Sequence, residues 1–427
     1  MNTKELLAAL LKGGLDKSLT VLYGKEHLAA ARLRCERAIH SFEGCFGPRE
    51  EAFLLSVPGR SEIAGNHTDH QRGRVIATSV NLDILAVAAK TVEPVATVCS
   101  EGYGTDTVVL SESATPDPAH YGKSSALVAG MCHGLLKKGA NVGGFMAYLT
   151  SDVPAGSGLS SSAAFEVMIG NIENHLYNGG LLNNAEIAKV AGYAENVFFG
   201  KPCGLMDQMA CAVGGIIAID FENEQAPKVT QIDFDPTAEN LCLCIVNTGG
   251  SHADLTPDYT AIPTEMKAVA EAFGAPVLRE TSEEDFLAAL PNLREKVGDR
   301  ALLRALHFFA ENRRATAVAE ALKTGDVSHF LALINESGRS SFCYLQNVYT
   351  ARREREQGLS LALCLTERYL ADKQGAFRVH GGGFAGTIQA FLKEKDVPAY
   401  RHWMDAVFGT GACRVLQVRP IGATAIL

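Results

Sequence analysis

The sequence has no run of 18 apolar residues and no tract of basic residues. A membrane-spanning helix needs about 20 consecutive apolar residues, so the sequence predicts none. The formal net charge of −9 is spread along the chain. A spread of negative charge argues against nucleic acid or an anionic membrane as the main partner.

Little in the sequence points to export or to disulfide bonds. The first residues lack the apolar core and the cleavage site of a signal peptide. The eleven cysteines are scattered singly, apart from Cys242 and Cys244, which alternate within an apolar run typical of a strand. We interpret them as buried, reduced thiols, with a metal or redox pair as the minority alternative. These features predict a cytoplasmic protein.

The composition is that of a globular protein with a large core. Hydrophobic residues make up 47% of the 427 residues and charged residues 20%, and the length allows two or three domains. The pattern is helical over residues 1–40, changes to strands from Phe53, and is mostly helical again from about residue 280. The sequence therefore predicts a mixed α/β (α+β) fold.

The most informative stretch is Pro154–Ala164, which reads PAGSGLSSSAA and is here called the serine loop. Residues 144–150 before it are typical of a strand, and the apolar spacing after it predicts a helix beginning near Ser161 or Ser162. Glycines permit close backbone approach, and the N–H groups of a helix start favour a phosphate. A loop that merely caps a helix is the alternative, but the combination favours phosphate binding.

A second motif, here called the signature turn, spans Pro58–His70 and reads PGRSEIAGNHTDH. It concentrates hydrogen-bonding side chains in one turn, as a polyhydroxyl substrate requires. A metal site formed by His67, Asp69 and His70 is the minority alternative, because no further His/Cys cluster completes it.

Two acidic residues, Glu195 and Asp207, stand in otherwise apolar surroundings. Burying two carboxylates is costly unless a metal, an arginine or a substrate compensates. Helix capping or pairing with a lysine is the alternative for each.

A fourth motif, here called the glycine turn, covers His380–Gly386 and reads HGGGFAG.

The order of these motifs resembles that of the GHMP small-molecule kinases, and the signature turn resembles the galactokinase pattern G-R-x-N-x-I-G-E-H-x-D-Y. The likeness extends from about Phe42 to the C-terminus, which leaves residues 1–40 as an added helical segment. It implies a two-domain fold with an ATP-binding domain at 41–200, a second domain at 201–427 and the active site in the cleft between them.

The resemblance also implies roles for individual residues. Asp207 would take the proton from the sugar's anomeric hydroxyl, Arg60 would neutralise charge beside it, and Ser162 (or Ser161) with Glu195 would hold Mg²⁺. Tyr259 is included in the sugar site because residues 247–259 resemble the family's D-T-G…E-Y stretch. The sugar would contact Asn66, His67, Asp69, Gly204 and Tyr259. ATP would lie on Pro154, Gly156, Ser157, Gly158, Leu159, Ser160, Ser161 and Ser162.

The sequence departs from the galactokinase pattern mainly around the sugar. Asn66 replaces a glutamate, Glu62 an asparagine and His70 a tyrosine; residues 260–263 lack the usual two arginines, and His380 replaces a small residue. An asparagine at 66 should hold the sugar's primary hydroxyl less tightly. The expected activity is phosphorylation of galactose to galactose 1-phosphate. The alternatives are another sugar, such as N-acetylgalactosamine or arabinose, and a non-catalytic sensor of sugar and ATP.

Overall fold

The computed structural model describes residues 1–111, 115–154, 158–201, 203–250 and 255–427. The helices of these ranges are α1 (Thr3–Leu11), α2 (Asp16–Tyr23), α3 (Leu28–Phe46), α4 (Ser124–Lys137), α5 (Ser161–Tyr177), α6 (Asn184–Tyr193), α7 (Met206–Val213), α8 (Thr256–Glu271), α9 (Glu283–Val297), α10 (Asp299–Thr324), α11 (Val327–Ser340), α12 (Gly358–Leu370) and α13 (Val397–Phe408). Among these described helices, none is long and apolar enough to cross a membrane.

The strands of the same ranges are β1 (Ala52–Ala64), β2 (Arg74–Lys90), β3 (Val95–Ser100), β4 (Gly104–Val109), β5 (Phe145–Ser151), β6 (Ile216–Asp220), β7 (Lys228–Ile232), β8 (Leu241–Asn247), β9 (Gly375–His380), β10 (Thr387–Lys393), β11 (Cys413–Leu416) and β12 (Thr424–Ala425). They form two sheets, and the predicted mixed α/β class is confirmed.

The large sheet is built around the long strand β2. Its order is β12-β1-β2-β5-β3-β4, and β6 pairs with both β2 and β7. The second half of β2 pairs with β5, with Ile84 opposite Ser151, and the first half pairs with β6, with Thr78 opposite Ile216. Because helices cover both faces of the second half of β2, residues 84–89 form a continuous apolar run rather than an alternating one.

Successive residues of β2 face opposite sides of the sheet, so one strand supplies two cores. Ala86 and Ala88 pack in a cluster with the helices α4–α7. Leu85 and Val87 pack on the other face with the N-terminal helices α1–α3. Helices α1–α3 therefore cover one face of the large sheet, and α3 ends at Phe46. The assignment of residues 1–40 as an added segment stays a prediction.

The small sheet is antiparallel, in the order β11-β8-β10-β9. On one face, Ala390 packs in a cluster with residues of α12 and α13, and on the other, Phe391 packs in a cluster with residues of α10 and α11. The second cluster also contains Ile63 and Ile76 of the large sheet, so the two sheets share a core. The chain passes to the small sheet between β7 and β8. The domain boundary expected at residue 200 stays a prediction.

The cysteines only partly match the expectation of buried thiols. All eleven are free, and Cys244 is buried, but Cys242 on the same strand is half-buried. Others, including Cys343 and Cys364, are exposed.

A buried carboxylate, Asp83 at the middle of β2, joins several elements. It is 0% exposed and accepts hydrogen bonds from Tyr23 (2.6 Å), Ser56, Arg34 and Arg419 (3.1 Å). Burial raises the pKa of a carboxyl, but the two guanidinium charges outweigh it, so the pKa of Asp83 lies below its ordinary value. Asp83 is therefore ionised, and its carboxylate accepts hydrogen bonds from side chains of helices α2 and α3, strand β1 and the C-terminal segment.

Asp83→Asn should lower the free energy of unfolding by about 3–5 kcal/mol, because it leaves the buried Arg419 guanidinium without its counterion and removes one of the two carboxylate partners of Arg34. Urea unfolding at neutral pH measures the change. The control is Asp16→Asn, which breaks the half-exposed pair of Asp16 with Arg32 and should cost less than about 1 kcal/mol. Equal losses in the two variants would contradict the role assigned to Asp83.

Candidate active site

Arg60 and Asp207 form a bidentate ion pair where the two sheets approach each other. Arg60 Nε donates to Asp207 Oδ1 at 2.7 Å and Nη2 donates to Oδ2 at 2.6 Å. Arg60 lies in β1 and Asp207 in the first turn of α7. The arginine side chain is 7% exposed, whereas that of Asp207 is 31% exposed, which leaves the carboxylate open to a ligand. Ser160 also donates to its Oδ2.

The charge state of Asp207 follows from these partners. Burial raises the pKa of the carboxyl, but the Arg60 charge and the hydrogen bonds from Arg60 and Ser160 lower it further than burial raises it. Its pKa therefore lies below the ordinary value, and at neutral pH Asp207 is an ionised acceptor.

The serine loop is fixed to β1 at its C-terminal end. The Arg60 N–H donates to Leu159 O at 3.1 Å, and Arg60 Nη1 donates to Gly158 O. Gly59 permits this approach, because a Cβ at that position would lie 2.8 Å from Leu159 O. Helix α5 then begins at Ser161, as predicted, after Ser160 in a left-handed conformation with φ 57°.

The N–H groups in the first turn of α5 have no partner within the helix and would meet an anion beside Asp207. Pro154, Gly158, Leu159, Ser160, Ser161 and Ser162 of the predicted ATP loop are described; Gly156 and Ser157 lie outside the described residues.

Glu195 is 2% exposed in a π-helical turn, Ala194–Phe198, that follows α6. Lys201 donates to its Oε1 at 2.7 Å and Gln208 Nε2 donates to its Oε2 at 2.7 Å. Gln208 also donates to Glu166 Oε2 at 3.1 Å. The lysine partner foreseen as the alternative is therefore present, beside a second carboxyl group that the sequence analysis missed.

Glu166 completes an oxygen-rich cluster around Glu195. Burial and the Glu195 charge raise its pKa to about 9, and its buried Oε1 has no hydrogen-bond partner among the described atoms. Glu166 lies one helical turn after Ser162 on α5, so the two side chains share a face. Carboxylate and hydroxyl oxygens suit Mg²⁺.

Within the described part of the chain, no three His, Cys, Asp or Glu side chains form a metal cluster. His67, Asp69 and His70 therefore do not form one, and a cation near Glu195 would also need phosphate or water oxygens.

Asn66 of the signature turn is 1% exposed and fully bonded to protein groups. Its Nδ2 donates to Glu62 Oε1 at 3.1 Å and to Gly381 O at 2.8 Å. Its Oδ1 accepts from Asn347 at 2.8 Å and from Ser341 at 3.3 Å. These bonds use both donors and both acceptors of the amide, so a sugar hydroxyl would have to displace one of them.

Three of the predicted sugar ligands bond to successive carbonyl groups of the glycine turn. Besides the bond from Asn66 to Gly381, His67 Nε2 bonds to Gly382 O at 3.0 Å, and Tyr259 Oη donates to Gly383 O at 2.6 Å. The signature turn and the glycine turn are thus held together, although they are far apart in sequence.

Asp69 and Gly204, the other two predicted sugar ligands, lie in contact. A Cβ at position 204 would overlap Asp69 Oδ2, so this approach requires glycine. Asp69 Oδ1 accepts the N–H of His70 at 2.9 Å. Burial is the main reason that the pKa of Asp69 is raised.

Glu62, which stands in place of the usual asparagine, pairs with Arg378 of β9. Arg378 Nη2 donates to Glu62 Oε1 at 2.6 Å, and Nη1 donates to Ile63 O at 2.8 Å. Both side chains are buried. His380 is also buried, between Ser61 (3.0 Å) and Thr387 (2.9 Å), and burial lowers its pKa, so it is a neutral packing residue.

The sequence analysis missed Glu166, Gln208, Asn347 and Arg378. Two had a local signal: Gln208 directly follows Asp207, and Glu166 follows Ser162 by one helical turn on α5. Asn347 and Arg378 had none, because their partners are more than two hundred residues away.

Two family models and a curated relative match this chain. The model for the GHMP kinases N terminal domain matches residues 126–215, and the galactokinase galactose-binding signature matches residues 40–90. A galactokinase of Glaesserella parasuis serovar 5 (strain SH0165) is 30% identical over 372 residues, which cover 84% of this chain and 90% of the relative.

Solved structures show the same fold. The crystal structure of Lactococcus lactis galactokinase complexed with galactose has a TM-score of 0.76 at 24% identity, covering 90% of this chain and 98% of that one. Methanococcus jannaschii mevalonate kinase has a TM-score of 0.61 at 15% identity, covering 87% and 99%. On the strength of the sequence relative and the two family models, the chain belongs to the galactokinase family of the GHMP kinases.

Proposed function

We propose that this chain transfers the γ-phosphoryl group of ATP to the anomeric hydroxyl of galactose, giving galactose 1-phosphate and ADP. The observation that carries the proposal is the ionised, partly open Asp207, held by Arg60 at the start of helix α5. This places a proton acceptor beside a helix N-terminus that favours phosphate. The galactokinase relative supports both the reaction and the sugar.

Asp207 would accept the hydroxyl proton as the sugar oxygen attacks the γ-phosphorus and the bond to ADP breaks. A carboxylate with a lowered pKa is a weak base. That is sufficient, because the loose transition state of phosphoryl transfer depends mainly on positioning and on charge stabilisation. Arg60 keeps the carboxylate ionised and oriented and adds positive charge next to the transferred group.

Glu195, Glu166 and Ser162 would hold the magnesium ion. Bound there, the ion would neutralise charge on the phosphate oxygens. When the ion is absent, the positive charge of Lys201 at Glu195 Oε1 compensates the negative charge of that carboxylate. Gln208 holds both carboxyl groups in position. Because the pKa of Glu166 is raised to about 9, it carries a proton at neutral pH that a cation would have to displace.

Asp207→Asn should lower kcat by about 10²–10⁴, the usual contribution of a general base, and leave ATP affinity nearly unchanged. Sugar-dependent ADP release and ATP-binding calorimetry give the two quantities. Asp299→Asn is the matched control, since Asp299 is an exposed acid paired with Arg294. Near-normal turnover in Asp207→Asn would remove Asp207 from the mechanism. A wild-type chain that binds ATP and sugar without turnover would instead support the sensor alternative.

Magnesium dependence should respond to Glu195 and, through pH, to Glu166. Glu195→Gln should raise the Mg²⁺ concentration required, because a neutral amide is a poorer ligand. In the wild type, the apparent Mg²⁺ affinity should rise between pH 7 and pH 9 as the proton on Glu166 becomes easier to remove, and Glu166→Gln should flatten this rise. Activity against Mg²⁺ concentration at several pH values measures both effects.

Glu173→Gln is the control for this pH effect. Glu173 lies on the same helix α5 and has a pKa raised to about 8, but its carboxyl bonds to Cys132 and the Gly143 N–H rather than to the cluster of Glu195. Its substitution should leave the pH profile unchanged. An unchanged magnesium curve in Glu195→Gln would mean that Glu195 only pairs with Lys201.

The sugar preference should be galactose over glucose, with tolerance for changes at carbon six. Asp69 is an acceptor-only carboxylate, and a site built to bond a hydroxyl rejects a sugar in which it is misplaced. The resemblance places position 66 at the primary hydroxyl, and the amide of Asn66 is bonded entirely to protein groups. Values of kcat/KM for galactose, glucose, 6-deoxygalactose, arabinose and N-acetylgalactosamine test the preference, and equal use of glucose would contradict it.

The exchange variant Glu62→Asn/Asn66→Glu, which restores the galactokinase residues at these two positions, should narrow the tolerance at carbon six. Asn66→Glu alone is the wrong test, because it places a second carboxylate against Glu62 in a buried site. Strict rejection of 6-deoxygalactose by the wild type would refute the argument from Asn66.

A further inference from the structure

Arg34 of helix α3 lies at the point where the chain leaves β5 for the serine loop. Its Nη2 donates to Thr150 O at 3.2 Å and to Asp83 O at 3.0 Å, and its Nη1 lies 3.0 Å from Asp152 Oδ2. The Asp152 N–H donates to the same Asp83 carbonyl at 3.0 Å. One guanidinium group therefore contacts the last residues of β5 and the first residue beyond it.

The position of Arg34 is itself fixed. Its side chain is 11% exposed and pairs through Nη1 with the fully buried Asp83. Tyr23 and Arg419 hold that carboxylate from two other elements. A planar guanidinium that bonds several oxygens at once cannot shift without breaking several contacts, so Arg34 is a rigid support.

Two arginines thus contact described residues before the serine loop and within it. Arg34 contacts Thr150 and Asp152 before the loop, and Arg60 contacts Gly158 and Leu159 within it. A backbone that binds phosphate works best when its N–H groups are already oriented, because no ordering cost then arises on binding.

We propose that Arg34 is a positioning residue for the phosphate-binding loop, and that helices α1–α3 act through it as part of the ATP site rather than only as a cover for the sheet. This inference rests on the proposed function in one respect, that the serine loop binds ATP. It goes beyond that function, because residues 1–39 lie outside the two matching family models.

The test compares Arg34→Ala and Arg34→Lys with Arg32→Ala, a control on the same helix whose half-exposed pair with Asp16 does not contact the loop. Arg34→Ala should lower kcat/KM for ATP by about 10–100-fold, the range that ångström-scale misplacement costs, while the KM for the sugar changes less than about twofold. Arg34→Lys keeps the positive charge but lacks the planar guanidinium that bonds several oxygens at once. It should therefore reduce kcat/KM for ATP less than Arg34→Ala does. Arg32→Ala should match the wild type.

Two further variants separate positioning from stability. Asp152→Ala removes the contact on the loop side and leaves Arg34 paired with Asp83, so it should weaken ATP use in the same direction without lowering the melting temperature. Tyr23→Phe removes one bond to Asp83 and leaves the loop contacts intact, so it should lower the melting temperature without changing the KM for ATP. These two variants keep the test valid if Arg34→Ala folds poorly.

Calorimetry with ADP tests the inference without reference to the sugar. Weaker ADP binding in Arg34→Lys and Asp152→Ala, with normal binding in Arg32→Ala and Tyr23→Phe, would support it. ADP binding and ATP kinetics that match the wild type in Asp152→Ala and Arg34→Lys would overturn it. Absence of sugar-dependent ATP consumption in the wild type would refute the proposed function instead, and the ADP measurements would still decide the inference.

Discussion

The site depends on the ion pair between Arg60 and Asp207. Arg60 contacts the serine loop through its backbone N–H and through Nη1. Its Nε and Nη2 donate to the carboxylate of Asp207. The same residue therefore sets the position of helix α5, the charge of Asp207 and the separation between them. Removing Asp207 would leave the buried guanidinium of Arg60 uncompensated. Gly59 permits the close approach of β1 to Leu159 that places Arg60 there.

Features coded by local sequence were predictable. The start of α5 at Ser161 and the helical pattern of residues 1–40 follow from apolar spacing and glycine positions within short windows. The location of the second sheet was not, because the apolar strands β6 and β8 look alike in sequence and differ only in their pairing partners. The pairing of strands that are distant in sequence decides which sheet each strand joins, and a short stretch of sequence does not show that pairing.

The same distinction separates the predicted site residues from the missed ones. The roles predicted for Arg60, Glu195 and Asp207 came from the resemblance of their motifs to those of the GHMP kinases. The residues that make those motifs work come from distant segments, as Arg378 does for Glu62, Asn347 for Asn66 and Arg34 for the serine loop. A buried polar side chain needs a partner, but the sequence does not say which residue supplies it.

The departures at positions 62 and 66 form one change rather than two. The galactokinase pattern has asparagine first and glutamate second; this chain has the reverse, and the amide and carboxylate remain in contact at 3.1 Å. The exchange puts the carboxylate of Glu62 in a buried position, where it needs a counterion, and Arg378 supplies one. Asp69 is therefore the other acidic side chain of the signature turn, while Glu62 and Arg378 neutralise each other within the core.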